Sequence, residues 1–171
     1  MDHTVRGPAD VLVIDDDAGD ALLIEESIGG SGAVRCHVVS RRSEAQGFLR
    51  RTGQFAGAPR PWLILLDLNL GESHGLDLLA EVKGDAELMS IPVVVLSSSR
   101  HPADIDNSYA LHANAYVVKP IDLDDFARAV QTIEACFIKL MERAHGRYGS
   151  SGDHDGQAVL TFPERVGGTG D

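Results

Sequence analysis

Residues 11–17 read VLVIDDD, a short run of aliphatic residues that ends in three aspartates. A run that is apolar on both faces is typical of a strand in a parallel sheet covered by helices on each side. Similar apolar runs follow at residues 34–39, 63–66, 93–96 and 115–118. The sequence therefore predicts five buried strands, and the aspartates mark the point at which the first strand ends.

Amphipathic segments separate these runs, with apolar residues at helical spacing. They predict helices over residues 18–29, 43–51, 75–83, 102–112 and 122–144. Such strict alternation predicts an α/β fold, a doubly wound five-stranded parallel sheet with helices on both faces. Ligands of such sheets bind beyond the carboxyl ends of the strands, so the residues after each strand are the candidates for a functional site.

Length and composition predict one domain with flexible ends. The chain has 171 residues, of which 43% are hydrophobic and 5% aromatic, so we expect an aliphatic core. The repeated pattern occupies residues 9–144, and residues 1–8 are predicted to be a flexible N-terminus. Residues 145–171 hold seven of the 18 glycines and are predicted to be a flexible tail. We expect no DNA-binding output domain, because nothing after residue 144 has the pattern of a helix-turn-helix.

The charge and the cysteines exclude several classes of protein. A formal net charge of -11 at pH 7 disfavours binding to nucleic acid or to an anionic membrane. Cys36 and Cys136 lie far apart and form no metal-binding motif, so we expect two buried thiols rather than a disulfide or a zinc site. The N-terminus has no apolar signal segment, and no apolar run is long enough to span a bilayer. We therefore expect a cytoplasmic protein.

Polar residues follow four of the five predicted strands. They are Asp15-Asp16-Asp17 after the first strand, Asp67-Leu68-Asn69 after the third, Ser97-Ser98-Ser99 after the fourth and Lys119-Pro120 after the fifth. Because the carboxyl ends of parallel strands meet at one edge of a sheet, we expect carboxylates, a hydroxyl and an ammonium to converge there. A second role stays open for Asp17, since aspartate after a strand is commonly the N-cap of the next helix.

The chemistry of these groups points to phosphoryl transfer. Clustered carboxylates repel one another and favour a divalent cation between them. Oxygen ligands that leave positions for water suit Mg²⁺, which also binds phosphate oxygens. An aspartate beside such a cation can attack a phosphoryl group and form an acyl phosphate. Lys119 would neutralise charge on that group, and Ser97 would donate a hydrogen bond to one of its oxygens.

These residues resemble those of the receiver domain of two-component response regulators. VLVIDDD is similar to the strand with the family's acidic pair, and LILLDLNL at residues 63–70 is similar to its phosphoacceptor strand. The resemblance covers residues 9–142 and implies a flavodoxin-like sheet with the strand order 2-1-3-4-5. It implies that Asp67 accepts a phosphoryl group and that Asp16 and Asp67 bind Mg²⁺ directly. Asp15 would bind Mg²⁺ through water, and Asn69 would bind it through its backbone carbonyl.

The resemblance also assigns a switch. Ser97 falls at the position of the Ser/Thr that senses the phosphoryl group, and Lys119 falls at that of the site lysine. Tyr116 falls at the position of an aromatic residue that rotates, and the Lys119–Pro120 peptide bond is expected to be cis. One departure is Gly71, which lies in the loop after the acceptor where the family commonly has proline. The implied function is a response regulator that switches dimerisation or partner binding, and that catalyses at most its own phosphorylation and dephosphorylation.

Three sequence segments indicate more closely which kind of kinase would be the partner. RTGQFAGAPRPWLILLDLNL at residues 51–70, IPVVVLSSS at 91–99 and YALHANAYVVKP at 109–120 are similar to regulators of phytochrome kinases. Those regulators are stand-alone receivers that often dimerise. The resemblance thus implies a sensor histidine kinase of the phytochrome type as phosphodonor.

The last predicted helix suggests where copies of the chain would meet. Its apolar stripe continues to the end of the helix, past the edge of the sheet, and comprises Leu123, Phe126, Val130, Ile133, Phe137, Leu140 and Ala144. Such an apolar stripe must be buried against another surface, which belongs either to the domain itself or to a second molecule. In the second case we expect a homodimer through the face made by residues 102–112, 115–118 and 122–144.

Two other functions remain open at this point. A pseudo-receiver would use the same fold as a binding module that phosphorylation does not control. A metal-dependent phosphohydrolase would also use an aspartyl nucleophile, but it needs a second acid two residues later, where this chain has Asn69. A phosphotransfer role for His74, which lies near the site in sequence, is a further alternative to a plain surface loop.

Overall fold

The computed structural model describes residues 7–146. Strands and helices alternate as predicted, with boundaries within a few residues of the expected ones. In chain order the elements are β1 Ala9–Ile14, α1 Ala18–Ile28, β2 Val34–Val39, α2 Arg42–Arg50, β3 Leu63–Leu66, β4 Asn69–Leu70, β5 Ser73–His74, α3 Gly75–Gly84, β6 Val93–Ser97, α4 Pro102–Ala110, β7 Ala115–Val118 and α5 Leu123–Gly146. Short 3-10 turns follow α1 and α2.

Five strands form one parallel sheet in the order β2-β1-β3-β6-β7. Counted among the long strands alone, this is the predicted order 2-1-3-4-5. The order reverses between β1 and β3, and the ends of these strands are level because Ile14 is in register with Leu66. A crevice at such a reversal is where ligands bind in open α/β sheets.

Helices cover both faces of the sheet, as predicted. On one face, alternate strand residues such as Leu12 and Ile64 pack with Phe48 of α2 and Leu79 of α3. On the other face, strand residues such as Val13 pack with α1 and α5. All six residues of β1 are buried, because this strand is covered on both faces. Aliphatic side chains fill most of this interior, as the low aromatic content predicts.

Local sequence signals explain where the helices begin. The Asp17 side chain accepts a hydrogen bond from the Asp20 backbone N–H at 3.0 Å, so Asp17 is the N-cap of α1. The Asp122 side chain accepts from the Asp125 N–H at 3.0 Å in the same way before α5. Pro102 stands in the first turn of α4, where its missing N–H costs no hydrogen bond. None of the helices within residues 7–146 has the length and apolar character needed to cross a membrane.

Three local expectations need correction. Helix α5 continues to Gly146, two residues past the predicted end, whereas most of the predicted flexible termini lie outside the described residues. Cys36 and Cys136 are free but only half-buried, because neither side chain lies wholly within the layer between sheet and helices. Burial still raises the pKa of the Cys36 thiol to about 11, which keeps it protonated at neutral pH.

The third correction concerns Pro120. All peptide bonds of residues 7–146 are trans, so the cis Lys119–Pro120 bond that the resemblance implied is wrong for this structure. A bond before proline favours trans by about 0.5–1 kcal/mol. The Lys119–Pro120 bond thus has the trans form, which is the more stable isomer, where the chain leads into α5.

Candidate functional site

The strand ends bring the predicted polar groups together at one edge of the sheet. The Lys119 ammonium, beyond the end of β7, lies 2.8 Å from Asp15 Oδ2 and 2.9 Å from Asp67 Oδ2. Asp15 follows β1 and Asp67 follows β3, which are neighbours in the sheet. Side chains separated by 52 and 104 residues along the chain therefore meet because parallel strands end at the same edge.

Burial and charge perturb the groups of this cluster. Asp15 is only 3% exposed, and burial raises the pKa of its carboxyl to about 6, against the opposing effect of Lys119. Burial would lower the pKa of the Lys119 ammonium, but hydrogen bonds to carboxylates outweigh it and raise that pKa above its usual range. Lys119 is therefore a fixed positive charge beside two buried acids.

Asp16 completes a group of three carboxylates that fits a divalent cation. One oxygen each from Asp15, Asp16 and Asp67 lie within 4.8 Å of one another. Asp15 and Asp67 are buried, whereas Asp16 is exposed and opens the group to solvent. Hard carboxylate oxygens on an open rim suit a cation that keeps water ligands, such as Mg²⁺. The residues present therefore fit the predicted cation.

Backbone contacts hold Asp67 in place. Its N–H donates to the Ile14 carbonyl at 2.9 Å, and its Oδ1 accepts from the Asn69 N–H at 3.2 Å. Gly75, at the start of α3, passes so close that an added Cβ would lie 2.5 Å from the Asp67 carbonyl oxygen. No side chain fits there, which explains why glycine stands where the chain turns into the helix.

The loop after Asp67 forms a small hairpin that the sequence pattern did not predict. Asn69 pairs with His74 and Leu70 with Ser73, and Gly71 at the tip has a φ of 65°. Glycine adopts this conformation without steric cost, so the departure from proline at residue 71 allows the tight turn. A cleft of about 820 Å³ lies between this hairpin and the start of α2, with Asp16 on its wall. Asn69 is exposed at the rim, and its carbonyl as a cation ligand stays a prediction.

Ser97 and Tyr116 lie on adjacent strands at the same edge. Ser97 is buried at the end of β6, and its Oγ accepts from the Ser99 N–H at 3.2 Å. The Tyr116 hydroxyl donates to the Ser99 carbonyl at 2.8 Å. Desolvation raises the pKa of this tyrosine. The Tyr116 side chain therefore contacts the loop that follows Ser97. It lies close to Ser97, the residue with which it would move in the predicted switch.

Two residues near the site differ from expectation. Asp20, in the first turn of α1, lies 2.9 Å from Lys119 and was not predicted as a site residue. One sequence signal could have identified Asp20 as a site residue. It lies three residues after the N-cap Asp17, which places it in the first turn of α1, beside the ends of the strands. His74 acts as a helix cap, because its Nδ1 accepts from the Leu76 N–H at 3.2 Å. That contact is a structural role for His74, beside which phosphotransfer stays an untested alternative.

Comparisons with known proteins agree with this geometry. Residues 11–131 match the family model described as the response regulator receiver domain. The chain is similar to response regulator Rcp1 from Synechocystis sp., with 38% identity over 140 residues that cover 81% of this chain and 95% of the relative.

Two solved structures are similar over most of their length. The phosphorylated cyanobacterial phytochrome response regulator RcpA superposes with a TM-score of 0.75 at 38% identity, covering 78% of this chain and 96% of the other. The Mn²⁺-bound form of response regulator Rcp1 gives a TM-score of 0.73 at 37% identity, covering 77% and 96%. With the five-stranded sheet, the acidic group and the matched family model, the chain belongs to the response regulator receiver domain family.

Proposed function

We propose that this response regulator accepts a phosphoryl group on Asp67 and that Mg²⁺ is the cation of the site. The observation that carries the proposal is the contact of the buried Asp67 carboxylate with Lys119 at 2.9 Å, inside a group of three carboxylates open on one side. A nucleophilic oxygen, a fixed ammonium and a cation site are the parts that phosphoryl transfer to a carboxylate needs.

The reaction forms one bond and breaks one. An Asp67 carboxylate oxygen attacks the phosphorus of a phosphohistidine, and the P–N bond breaks with its electron pair remaining on the imidazole, which takes up a proton. Lys119 lies where it can neutralise charge on the phosphoryl oxygens, and Ser97 can donate a hydrogen bond to one of them. When bound, Mg²⁺ supplies further positive charge to the carboxylates and the phosphoryl oxygens. Beyond this transfer and the later hydrolysis, we propose no enzymatic activity.

The donor we propose is a sensor histidine kinase of the phytochrome type, in the cytoplasm. Support comes from the likeness to RcpA, which is described as a cyanobacterial phytochrome response regulator. Two apolar residues next to the site are also exposed, Ile121 and Leu123, directly after Lys119-Pro120. Exposed apolar side chains beside a reaction site favour docking of a protein donor over that of a small phosphate ester alone.

Intact-mass measurement after incubation with acetyl phosphate tests this function. We expect a single phosphoryl adduct that requires Mg²⁺ and that is lost in Asp67→Asn. Asp106→Asn changes the same charge at an exposed position of α4 and should phosphorylate like the wild type. Absence of an adduct under every condition would contradict the proposal and favour the pseudo-receiver, and rapid turnover of a small phosphate ester would favour the phosphohydrolase.

We propose that the output of the switch is dimerisation through α4, β7 and α5. Tyr109 on α4 is 48% exposed and Leu140 on α5 is 40% exposed, whereas Phe126 to Phe137 of the α5 stripe are covered by the domain itself. Leu140, toward the C-terminal end of the stripe, is therefore available for contact with a second copy of the chain. Sedimentation equilibrium should show a larger dimer fraction after phosphorylation, and Leu140→Glu should reduce it. Monomers at equal concentration in both states would contradict this output.

A further inference from the structure

Lys119 has three carboxylate partners, and they come from three different elements. Its Nζ lies 2.8 Å from Asp15, 2.9 Å from Asp20 and 2.9 Å from Asp67. An ammonium has three protons, so these contacts use its whole donor capacity. The geometry fixes both the position of the nitrogen and its orientation.

Asp20 differs from the other two partners in what else it can bind. Asp15 and Asp67 belong to the group of three carboxylates that fits a cation, whereas Asp20 does not. Asp67 is also the proposed phosphoryl acceptor. A cation and a phosphoryl group at the site would therefore compete with Lys119 for both of these carboxylates, but not for Asp20.

The position of Asp20 suits it for holding the ammonium. It lies in the first turn of α1, with its backbone N–H bonded to the N-cap Asp17 at 3.0 Å. Its side chain is 35% exposed, against 8% for Asp67. Because Asp20 is more exposed than Asp67, its carboxylate contacts Lys119 from the side of the site that is nearer to solvent.

We propose that Asp20 is a positioning residue that acts through Lys119. It holds the ammonium beside Asp67 when Asp15 and Asp67 are engaged by other ligands, so that the N–H groups released by these two carboxylates can turn toward a phosphoryl oxygen. This inference rests on the proposed function of Asp67. It adds a fourth carboxylate to the site and makes the start of α1 part of the phosphoryl-transfer machinery.

The test compares Asp20→Asn with Glu26→Gln. Both remove one negative charge from α1, but Glu26 is exposed and lies on a later turn of the helix. With acetyl phosphate and Mg²⁺, we expect the rate of adduct formation in Asp20→Asn to fall about tenfold, less than the roughly hundredfold loss that follows when a catalytic group itself is misplaced. Glu26→Gln should react at the wild-type rate, and thermal unfolding should show that both variants are folded.

A second measurement follows the ammonium itself. In ¹⁵N-labelled wild type, three hydrogen bonds should slow proton exchange enough for the Lys119 side-chain signal to be observed by NMR, before and after addition of Mg²⁺. In Asp20→Asn the signal should disappear when Mg²⁺ is added, because the remaining amide oxygen accepts a weaker hydrogen bond than a carboxylate and no longer slows proton exchange enough. This readout does not depend on phosphorylation.

The outcomes separate this inference from the proposed function. No adduct in the wild type would refute the function of Asp67, and the inference with it. A wild type that reacts while Asp20→Asn reacts equally fast would overturn the inference alone. A slower Asp20→Asn with an unchanged Lys119 signal would also overturn it, because Asp20 would then act through its charge and not by holding the ammonium.

Discussion

Strand β1 carries a buried aspartate near each end, and the two have different surroundings. Asp10, near the start, is 9% exposed, and Asp15, just past the end, is 3% exposed. Asp10 Oδ1 lies 2.8 Å from His37 Nε2 and 3.2 Å from Arg35 Nε, both on the neighbouring strand β2. Asp15 shares the single ammonium of Lys119 with Asp20 and Asp67.

The two ends of β1 differ in how the negative charge of the buried aspartate is balanced. At the start of β1, one carboxylate meets two basic side chains that partly face solvent, so its charge is balanced locally. At the end of the strand, several carboxylates share one cationic side chain, so negative charge is left over. Excess carboxylates at a buried edge are stabilised only by protonation or by a cation. The contacts of Asp10 with Arg35 and His37 are therefore structural. The carboxylates at the other end have the excess negative charge that a cation would neutralise.

Removal of the basic partner should give the largest difference in stability between the two ends of β1. Lys119→Met leaves buried carboxylates without a cation, and we expect it to lower the free energy of unfolding by about 3 kcal/mol in EDTA at pH 7. It should also abolish phosphorylation. Arg35→Met removes a partner that is 56% exposed, and exposed pairs contribute less than about 1 kcal/mol.

Urea unfolding of both variants, with intact-mass analysis of phosphorylation, measures these effects. Equal losses of stability at the two ends would contradict the assigned difference between them. A normal rate of phosphorylation in Lys119→Met would refute the role of the ammonium.

Neutralisation of each aspartate should give smaller effects of opposite sign. The pKa of Asp15 in the folded state is about 6, above its ordinary value of 3.8. The folded protein therefore binds the extra proton between these values, and its stability falls as the pH rises from about 4 to about 6. Relative to Asp15→Asn, the wild type should lose about 2 kcal/mol over this window in EDTA.

Asp10→Asn supplies the matched control at the other end of the strand. It weakens the contacts with Arg35 and His37, so we expect it to destabilise the protein by about 1 kcal/mol at pH 7, where Asp15→Asn should stabilise it. Urea unfolding at a series of pH values checks both signs. If Asp15→Asn proves less stable than the wild type at pH 7 without a cation, the excess of negative charge does not govern this edge.

The sequence predicted most of the fold because its signals are local. Buried strands such as β1 and β3 show in the sequence as apolar runs, and Asp17 shows as a possible helix N-cap. The convergence of Asp15, Asp67 and Lys119 was predictable as well, because all three directly follow parallel strands. The ends of α4 and α5 each differ from the prediction by two residues, because apolar periodicity does not mark the exact residue at which the last turn of a helix ends.

Other features had no local signal. The hairpin Asn69–His74 depends on backbone pairing of two residues on each side, which is too short to leave a pattern. The isomer of Lys119–Pro120 has no local signal, since a bond before proline can adopt either form, and the resemblance predicted cis where the structure has trans. The half-buried state of Cys36 and Cys136 depends on their position at the margin of the core.

By itself, the sequence determined the class of fold and the chemical types at the edge of the sheet, because residue spacing encodes strands and helices directly. Only the tertiary structure decided which carboxylates share Lys119. Asp20 is 99 residues from that lysine, and its contact depends on the packing of α1 beside the end of β7. Sequence periodicity specifies the face of a helix, but the distance between two side chains is fixed only when the elements that carry them have packed.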